Sequence, residues 1–193
     1  MPEDNRSEWL AGDVVLRPLR EEDSEALARA YVRNRDHLRR WEPDRPAEFF
    51  TPGGQAARVR EALAAHRDGR LVPWVLVRDG EVVGSLALSN VVLGPFRGAS
   101  LSYWIDEEHT GQGLATAAVG RVCEIADQDL DLHRLEAGTR VDNGPSQRVL
   151  VKAGFERIGV APGYLFIDGA WRDHLLFQRV LQDRPPPAAV RGA

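Results

Sequence analysis

The segment His109–Thr116, with the sequence HTGQGLAT, determines the fold that we expect for this chain. It follows the strand-like stretch Ala99–Ile105 and opens the amphipathic stretch Leu114–Ala126, whose apolar residues recur on one helical face. Its two glycines let the backbone approach a ligand closely, and the first turn of a helix offers unpaired N–H groups at the positive end of its dipole. The segment therefore predicts a phosphate or pyrophosphate site, with a plain glycine-rich turn as the alternative.

Two better-known phosphate motifs fit this segment poorly. The chain has no G-x-x-x-x-G-K-[ST] sequence, which excludes a P-loop NTPase. A dinucleotide-binding fingerprint needs a glycine or alanine where Thr116 stands, and it belongs on the first strand of its domain rather than past mid-chain.

The elements on either side of this segment predict an α/β protein with a mixed, largely antiparallel sheet and helices on both faces. We expect the crossover between residues 99 and 141 to join two parallel strands with the right hand. Predicted strands are Val14–Leu19, Pro73–Arg78, Val82–Val92, Ala99–Ile105, Leu135–Val141, Phe155–Tyr164 and Trp171–Val180. A first helix is predicted to begin at Glu21 and a second, short one to lie around Leu38. Three more are predicted at Gln55–Asp68, Leu114–Ala126 and Asn143–Ala153.

A second polar segment, Asn143–Ser146 (NGPS), opens the last predicted helix. Asn143 is a good N-cap, and Ser146 follows one turn later, so that both side chains can face the same cleft. A helix cap followed by a solvated serine is the alternative interpretation.

Composition and length fit a single globular domain. The 193 residues are 43% hydrophobic and 28% charged, and the net charge of −4 argues against a nucleic-acid-binding protein. Cys123 is the single cysteine, which excludes an internal disulfide and a cysteine-based zinc site. We expect a flexible N-terminal arm at residues 1–13, one domain at 14–182 and a disordered Pro/Ala-rich tail at 183–193. Without an apolar run of about 18 residues or a secretory signal, a cytoplasmic protein is expected.

Taken in order, TGQGLA, NGPS and KAGF resemble the GNAT superfamily of acetyl-CoA-dependent N-acetyltransferases. The stretches NRDHLRRWEPDR, SNVVLGPF and YLFIDGAWRDHLLF resemble its ribosomal-protein-alanine N-acetyltransferases, and the likeness covers residues 14–180. The resemblance implies a GNAT fold in which a splayed pair of parallel strands binds acetyl-CoA, without a metal. It also implies which residues hold the cosubstrate: the backbone of Gly111, Gln112, Gly113, Leu114, Ala115 and Thr116 at the pyrophosphate, Trp104 and Ile105 along pantetheine, and Asn143 and Ser146 at the arm.

The chain departs from the family pattern at the acid–base positions. Many GNAT enzymes carry a Glu and a Tyr where this chain has Gly138 and Leu150, and Thr110 replaces the usual Gln or Arg before the glycine loop. The resemblance leaves Ser146 as the group that can hydrogen-bond the leaving sulfur.

The general base stays open between two carboxylates. Glu42 lies in the WEP stretch expected beside the acceptor, and Glu156 lies on the strand after KAGF. Asp173 and His174 are further polar candidates, whereas Tyr103 is interpreted as core or cleft wall.

The leading hypothesis is an enzyme that acetylates the N-terminal amine of a protein, with a ribosomal protein as the family-based acceptor. A small-molecule amine acetyltransferase and a non-catalytic acyl-CoA-binding module are the alternatives. No direct nucleic-acid or membrane partner is expected, and a homodimer is left open.

Overall fold

The computed structural model describes residues 7–186. None of the helices in that range is both long and apolar enough to cross a membrane. The strands and α-helices described are β1 (Glu8–Ala11), β2 (Val14–Pro18), α1 (Ser24–Arg33), α2 (Arg35–Arg39), α3 (Pro52–Arg67), β3 (Leu71–Arg78), β4 (Glu81–Val92), β5 (Gly98–Ile105), α4 (Leu114–Gln128), β6 (Arg134–Arg140), α5 (Gly144–Lys152), β7 (Glu156–Ile167) and β8 (Ala170–Val180).

The strands form one sheet in the order β1-β2-β3-β4-β5-β6-β8-β7. Every neighbouring pair is antiparallel except β5 and β6, which are parallel and joined through α4. The parallel pairing runs from Gly98 opposite Arg134 to Ser100 opposite Glu136, after which the two strands diverge. The prediction of a mixed, largely antiparallel sheet with one splayed parallel pair is confirmed.

Helices pack on both faces of the sheet, as predicted. Successive residues of a strand point to opposite faces, so β5 supplies Leu101 to one core and Trp104 to the other. The larger core lies under α4 and α5, and it includes Val122 and Leu150. The smaller core lies under α1 and α3, and it includes Val59. Each fully buried aliphatic side chain contributes about 1.5–3 kcal/mol to stability.

Helix α3 begins three residues earlier than the sequence pattern predicted. The N-cap is Thr51, whose side-chain oxygen accepts from the amide of Gly54 at 3.0 Å. Pro52 occupies the first turn, where the missing N–H costs nothing and the fixed φ suits a helix. The apolar pattern of α3 begins only after these residues, so it did not show that they form the N-cap and the first turn of the helix.

The expectation of a flexible arm at residues 1–13 is wrong for Glu8–Ala11, while residues 1–6 lie outside the described part of the chain. This segment forms β1, with Glu8 opposite Leu16 and Trp9 opposite Val15 of β2. Glu8 also pairs with Arg121 of α4, whose Nη2 lies 2.6 Å from Glu8 Oε1. Residues 8–11 are therefore ordered by pairing with β2 and by the ion pair with α4. Both contacts involve residues distant in sequence, so the polar composition of the segment did not predict them.

The expected tail at residues 183–193 also needs a correction at its beginning. Residues 181–186 have no regular secondary structure, but Arg184 Nη2 lies 2.6 Å from Asp127 Oδ1 and 3.2 Å from Asp131 Oδ1. The start of the tail is therefore paired with the end of α4. Residues 187–193 lie outside the described residues.

A buried carboxylate connects the end of α1 and the start of α2 to the end of β5. Asp106, only 1% exposed, accepts from Arg33 Nε at 2.7 Å and from Asn34 Nδ2 at 2.8 Å. Asn34 in turn accepts from the amide of Glu107 at 2.8 Å. Burial would raise the pKa of Asp106, but the hydrogen bonds from Asn34 and Arg33 outweigh it and hold that pKa below its usual range. This network fixes α1 and α2 against the loop that leads to α4.

We expect Asp106→Asn to lower the free energy of unfolding at neutral pH by on the order of 2 kcal/mol, because the buried charge-assisted hydrogen bonds are lost. Since the pKa of Asp106 is lower in the folded state, its contribution is present above the unfolded pKa of about 3.9 and disappears as the pH falls through the folded value. Urea unfolding at a series of pH values should therefore show the two proteins converging in acid. The exposed turn variant Asp79→Asn is the control, and a difference that persists undiminished in acid would contradict the prediction.

Candidate active site

A continuous cavity of about 1230 Å³ passes through the sheet where β5 and β6 diverge. At one end it is lined by the glycine loop before α4 and by the start of α5. In the middle it is lined by Trp104 and Ile105 from β5 and by residues 137–140 of β6. At the other end it reaches Glu42, Arg45 and neighbouring residues of the α1–α3 side. The cavity can therefore hold a long, narrow molecule entering from the α4 face and a second molecule entering from the opposite face.

The loop before α4 has the backbone of an anion site. Gly113 is the N-cap of α4 with a φ of 81°, and Gly111 has a φ of 75°. A side chain at either position would meet nothing within 4 Å, so glycine is required here by the left-handed backbone and not by protein packing. Gly111, Gly113, Leu114, Ala115 and Thr116 all line the cavity. Their amides and the helix dipole favour a negatively charged ligand.

Gln112 is the one loop residue among the sequence candidates that does not line the cavity. Its side chain is exposed and donates from Nε2 to the carbonyl oxygen of Glu108 at 3.0 Å. Its side chain therefore stabilises the loop.

The start of α5 brings the second sequence motif to the same cavity. Asn143 caps the helix, since its side-chain oxygen accepts from the amide of Ser146 at 3.1 Å. Both residues line the cavity, together with Arg148 from the next turn. The capping role of Asn143 that the sequence predicted is confirmed.

Tyr103 is a further polar residue of this region, which the sequence suggested only as core or cleft wall. Its hydroxyl oxygen lies 2.8 Å from Ser146 Oγ and 3.2 Å from the Ser146 carbonyl oxygen. Burial raises the pKa of Tyr103 to about 12, and the hydrogen bond to Ser146 acts in the opposite direction. Alternation along β5 places Tyr103 on the α4–α5 face, but sequence alone did not bring α5 opposite it.

Glu42 lies at the far end of the cavity, just after α2, with its side chain 24% exposed. Its Oε2 is 3.6 Å from Arg45 Nη2. Burial raises the pKa of Glu42, although Arg45 and Arg58 lower it in part. A carboxylate with a raised pKa is better able to accept a proton near neutral pH than an exposed one.

Aromatic residues build the wall behind Glu42. Tyr31 accepts from Trp104 Nε1 at 3.0 Å, and burial together with the charge of Glu42 raises the pKa of Tyr31 to about 12. The guanidinium groups of Arg45 and Arg58 lie 4.9 Å and 4.8 Å from the centre of the Phe49 ring. This packing holds the Arg45 and Arg58 guanidinium groups close to the Glu42 carboxylate at this end of the cavity.

Glu156 is not brought to the cavity, which corrects one of the two carboxylate candidates. It begins β7, the outermost strand, and β8 lies between β7 and β6. Its side chain is exposed and accepts from Gln178 Nε2 at 2.9 Å. The sequence could not show this, because it did not reveal that β8 inserts between the two strands.

His174 does reach the cavity, whereas its neighbour Asp173 has a structural contact. His174 is 3% exposed, and its Nδ1 lies 3.0 Å from the carbonyl oxygen of Arg172. Since a carbonyl only accepts, Nδ1 is the donor in this contact. Asp173 accepts from the amide of Gly163 at 2.8 Å.

Within residues 7–186, no cluster of three His, Cys, Asp or Glu side chains is arranged to hold a metal ion. Cys123 is buried away from the cavity lining, and burial raises the pKa of its thiol. The polar side chains that line the cavity are thus hydroxyls, amides, carboxylates, three imidazoles, guanidinium groups and one lysine ammonium group.

A parallel strand pair that opens beside a glycine-capped helix N-terminus is the arrangement that the resemblance to acetyl-CoA-dependent N-acetyltransferases implied. Residues 13–156 match the family model described as an acetyltransferase (GNAT) domain. The chain is 33% identical over 175 residues to the ribosomal protein uS5-alanine N-acetyltransferase of Escherichia coli (strain K12), with 90% of each protein covered. The chain therefore belongs to the GNAT acetyltransferase family.

Solved structures agree with this assignment. The ribosomal-protein-S5-alanine acetyltransferase from Vibrio fischeri has a TM-score of 0.90 and 31% identity, covering 94% of this chain and 100% of that chain. Mycobacterium smegmatis RimJ in complex with CoA-disulfide has a TM-score of 0.85 and 37% identity, covering 90% of this chain and 85% of that chain. The protein is an acetyl-CoA:amine N-acetyltransferase, and acetyl-CoA is its cosubstrate. This membership favours an enzyme over a non-catalytic module.

We expect Arg45→Met to raise the pKa of Glu42 further, because the variant keeps the apolar packing on Phe49 and removes the nearest cation. Arg58→Met is the matched comparison and should raise the Glu42 pKa by less, since Arg58 acts only through space. Carboxyl-carbon NMR titration, with the Glu42 signal assigned from Glu42→Gln, measures both values. An unchanged or lower Glu42 pKa in Arg45→Met would contradict this description of the site.

Proposed function

We propose that this enzyme transfers the acetyl group of acetyl-CoA to the N-terminal α-amine of a protein, with a ribosomal protein as acceptor. The observation that carries the proposal is the cavity through the sheet, which gives the acceptor its own entrance on the Glu42 side. The identity to a ribosomal protein uS5-alanine N-acetyltransferase over 90% of the chain supports the choice of acceptor. Such an acceptor would place the enzyme in the cytoplasm.

The cosubstrate is assigned to the α4–α5 end of the cavity. We assign its pyrophosphate to the backbone amides of residues 111–116, where the positive end of the α4 dipole adds to the amide donors. Trp104 and Ile105 lie beyond Ser100, the last residue of β5 that pairs with β6, and both line the gap, so we assign the pantetheine arm to this edge of β5, where its amides can pair as an added strand would. The side-chain oxygen of Asn143 accepts one hydrogen bond in the helix cap, and we assign its amide nitrogen, which carries two hydrogens, to the cosubstrate arm.

Glu42 is assigned as the group that receives the acceptor. An N-terminal amine arrives mostly as an ammonium ion, which a carboxylate attracts, and it must lose a proton before it can attack. The burial that raises the pKa of Glu42 makes this carboxylate a stronger base at that step, either directly or through a water molecule. Arg45 and Arg58 prevent the pKa from rising further, so that Glu42 can remain ionised while it waits for the ammonium group.

The reaction then proceeds by direct attack in a complex of both substrates. The amine nitrogen bonds to the acetyl carbon, and the carbon–sulfur bond breaks with its electron pair remaining on sulfur. The proton that the nitrogen loses passes to Glu42, and Ser146 donates a hydrogen bond to the sulfur from the other face. Holding the two reactants together in the cavity supplies much of the rate enhancement.

A small amine is the second candidate acceptor, because Glu42 lies close to Arg45 and Arg58 at that end of the cavity. This charge arrangement would also suit the ammonium and carboxylate groups of a free amino acid. The chain is 27% identical over 170 residues to an L-amino acid N-acetyltransferase of Escherichia coli.

The test uses labelled acetyl-CoA with three sets of acceptors: peptides that begin with alanine, the same peptides with a blocked N-terminus and an internal lysine, and free amino acids. We expect label on the free N-terminal peptides, because their amine can enter from the Glu42 side with the chain trailing outward. The blocked peptides are the control for lysine acetylation. Transfer to amino acids with none to any peptide would overturn the proposed acceptor.

A separate prediction concerns the glycine loop. We expect Gly113→Ala to raise the dissociation constant for CoA at least tenfold, because the added methyl group occupies the space assigned to the pyrophosphate. The left-handed φ of Gly113 should also cost on the order of 1 kcal/mol of stability. Isothermal titration calorimetry measures the affinity, and thermal unfolding shows that the variant is folded.

Gly120→Ala is the matched control for that variant. Gly120 lies inside α4, its added methyl group would also meet nothing within 4 Å, and alanine there should raise stability by up to about 1 kcal/mol. CoA affinity should remain at the wild-type value in this control. Normal CoA affinity in Gly113→Ala would contradict the assignment of the loop.

A further inference from the structure

The hydroxyl of Tyr103 makes a contact across the splayed strands that the proposed reaction does not yet use. Tyr103 lies three residues after Ser100, the last residue of β5 that pairs with β6. Its ring packs against the core under α4 and α5, and both Tyr103 and Ser146 line the cavity. β5 is thereby joined to the first turn of α5 at the place assigned to the thioester end of the cosubstrate.

Two acceptors on Ser146 compete for one tyrosine hydrogen. The Tyr103 oxygen is 2.8 Å from Ser146 Oγ and 3.2 Å from the Ser146 carbonyl oxygen. Each hydroxyl can donate or accept, and the hydrogen can rotate about its C–O bond. When Ser146 turns its own hydrogen toward another group, Tyr103 is placed to donate to the Ser146 oxygen.

We propose that Tyr103 is a positioning residue for Ser146, donating to Ser146 Oγ so that the serine hydrogen is directed to the sulfur that leaves the acetyl group. The proposal deepens the proposed function and rests on its assignment of Ser146 to the sulfur. No additional proton is transferred: the nitrogen–carbon bond forms, the carbon–sulfur bond breaks, and the negative charge left on sulfur is stabilised through two hydrogen bonds in series. Such chains polarise one another and strengthen the terminal bond.

The chemistry of the phenol fits this role. A serine alone is a weak donor, and a donated hydrogen bond to its oxygen makes its own hydrogen more positive. The raised pKa of Tyr103, about 12, keeps the phenol protonated over the whole neutral range, so it remains a donor at every pH at which the amine reacts. Glu42 lies at the other end of the cavity, where the proton of the amine is taken up.

The test is a double-mutant cycle with Tyr103→Phe, Ser146→Ala and the double variant. Single-turnover rates are measured with any amine that the wild-type enzyme acetylates, so that product release does not mask the chemical step. We expect Tyr103→Phe to slow transfer about tenfold, which corresponds to about 1.4 kcal/mol, and to leave the CoA dissociation constant unchanged. When Ser146→Ala is already present, Tyr103→Phe should slow acetyl transfer by less than about twofold.

A purely structural role gives a different result. If Tyr103 acts only by holding α5, it does so through the hydrogen bond from its hydroxyl to the Ser146 carbonyl oxygen, and this bond persists in Ser146→Ala. Tyr103→Phe will then slow acetyl transfer by the same factor in wild-type and Ser146→Ala protein, and it will weaken CoA binding in both. That outcome, or an unchanged rate in Tyr103→Phe, would overturn the proposal. Tyr164→Phe is the control for loss of a phenol, since Tyr164 is 48% exposed and does not line the cavity. Because the cycle uses whichever amine is accepted, failure of the protein-acceptor proposal is recognised separately from failure of this one.

Discussion

The parting of β5 from β6 is the constraint on which the rest of the site depends. The two strands pair over three residues each and then diverge, while β4 and β8 continue to hold their outer edges. Backbone groups that face the gap need hydrogen-bond partners, and an extended ligand with amides can supply them. The cavity that this gap creates is lined by the glycine loop, by the start of α5 and, at its other end, by Glu42 and Tyr31.

The two ends of the cavity differ in charge because different helices form them. At one end, amides at the start of α4 present partial positive charge and no carboxylate of α4 lies in the first turn. At the other end, Glu42 lies among arginines and aromatic rings that keep it partly desolvated. The α4 end is therefore suited to an anionic group such as a phosphate, and the Glu42 end to a cationic group such as an ammonium ion.

Local patterns predicted a large share of the fold and of the cosubstrate end. The neighbouring strands predicted at Pro73–Arg78 and Val82–Val92, the amphipathic stretch of α4 and the Asn143 cap each depend on a few adjacent residues, and the structure has all three. Prediction was weaker where partners are distant in sequence. Residues 8–11 form β1, although the sequence pattern predicted a flexible arm. A segment of four residues is too short to show by its own pattern that it pairs with β2.

The sequence by itself determined the order of the elements from β2 onward, the glycine loop and the family to which the chain belongs, since these depend on local backbone preferences and on motifs in order. Only the tertiary structure decided which polar groups meet. It placed Tyr103 against Ser146, brought Glu42 to the cavity and left Glu156 on the outer strand. The physical reason is that these contacts join residues far apart in the chain, and their geometry follows from strand order and helix packing, which no local pattern encodes.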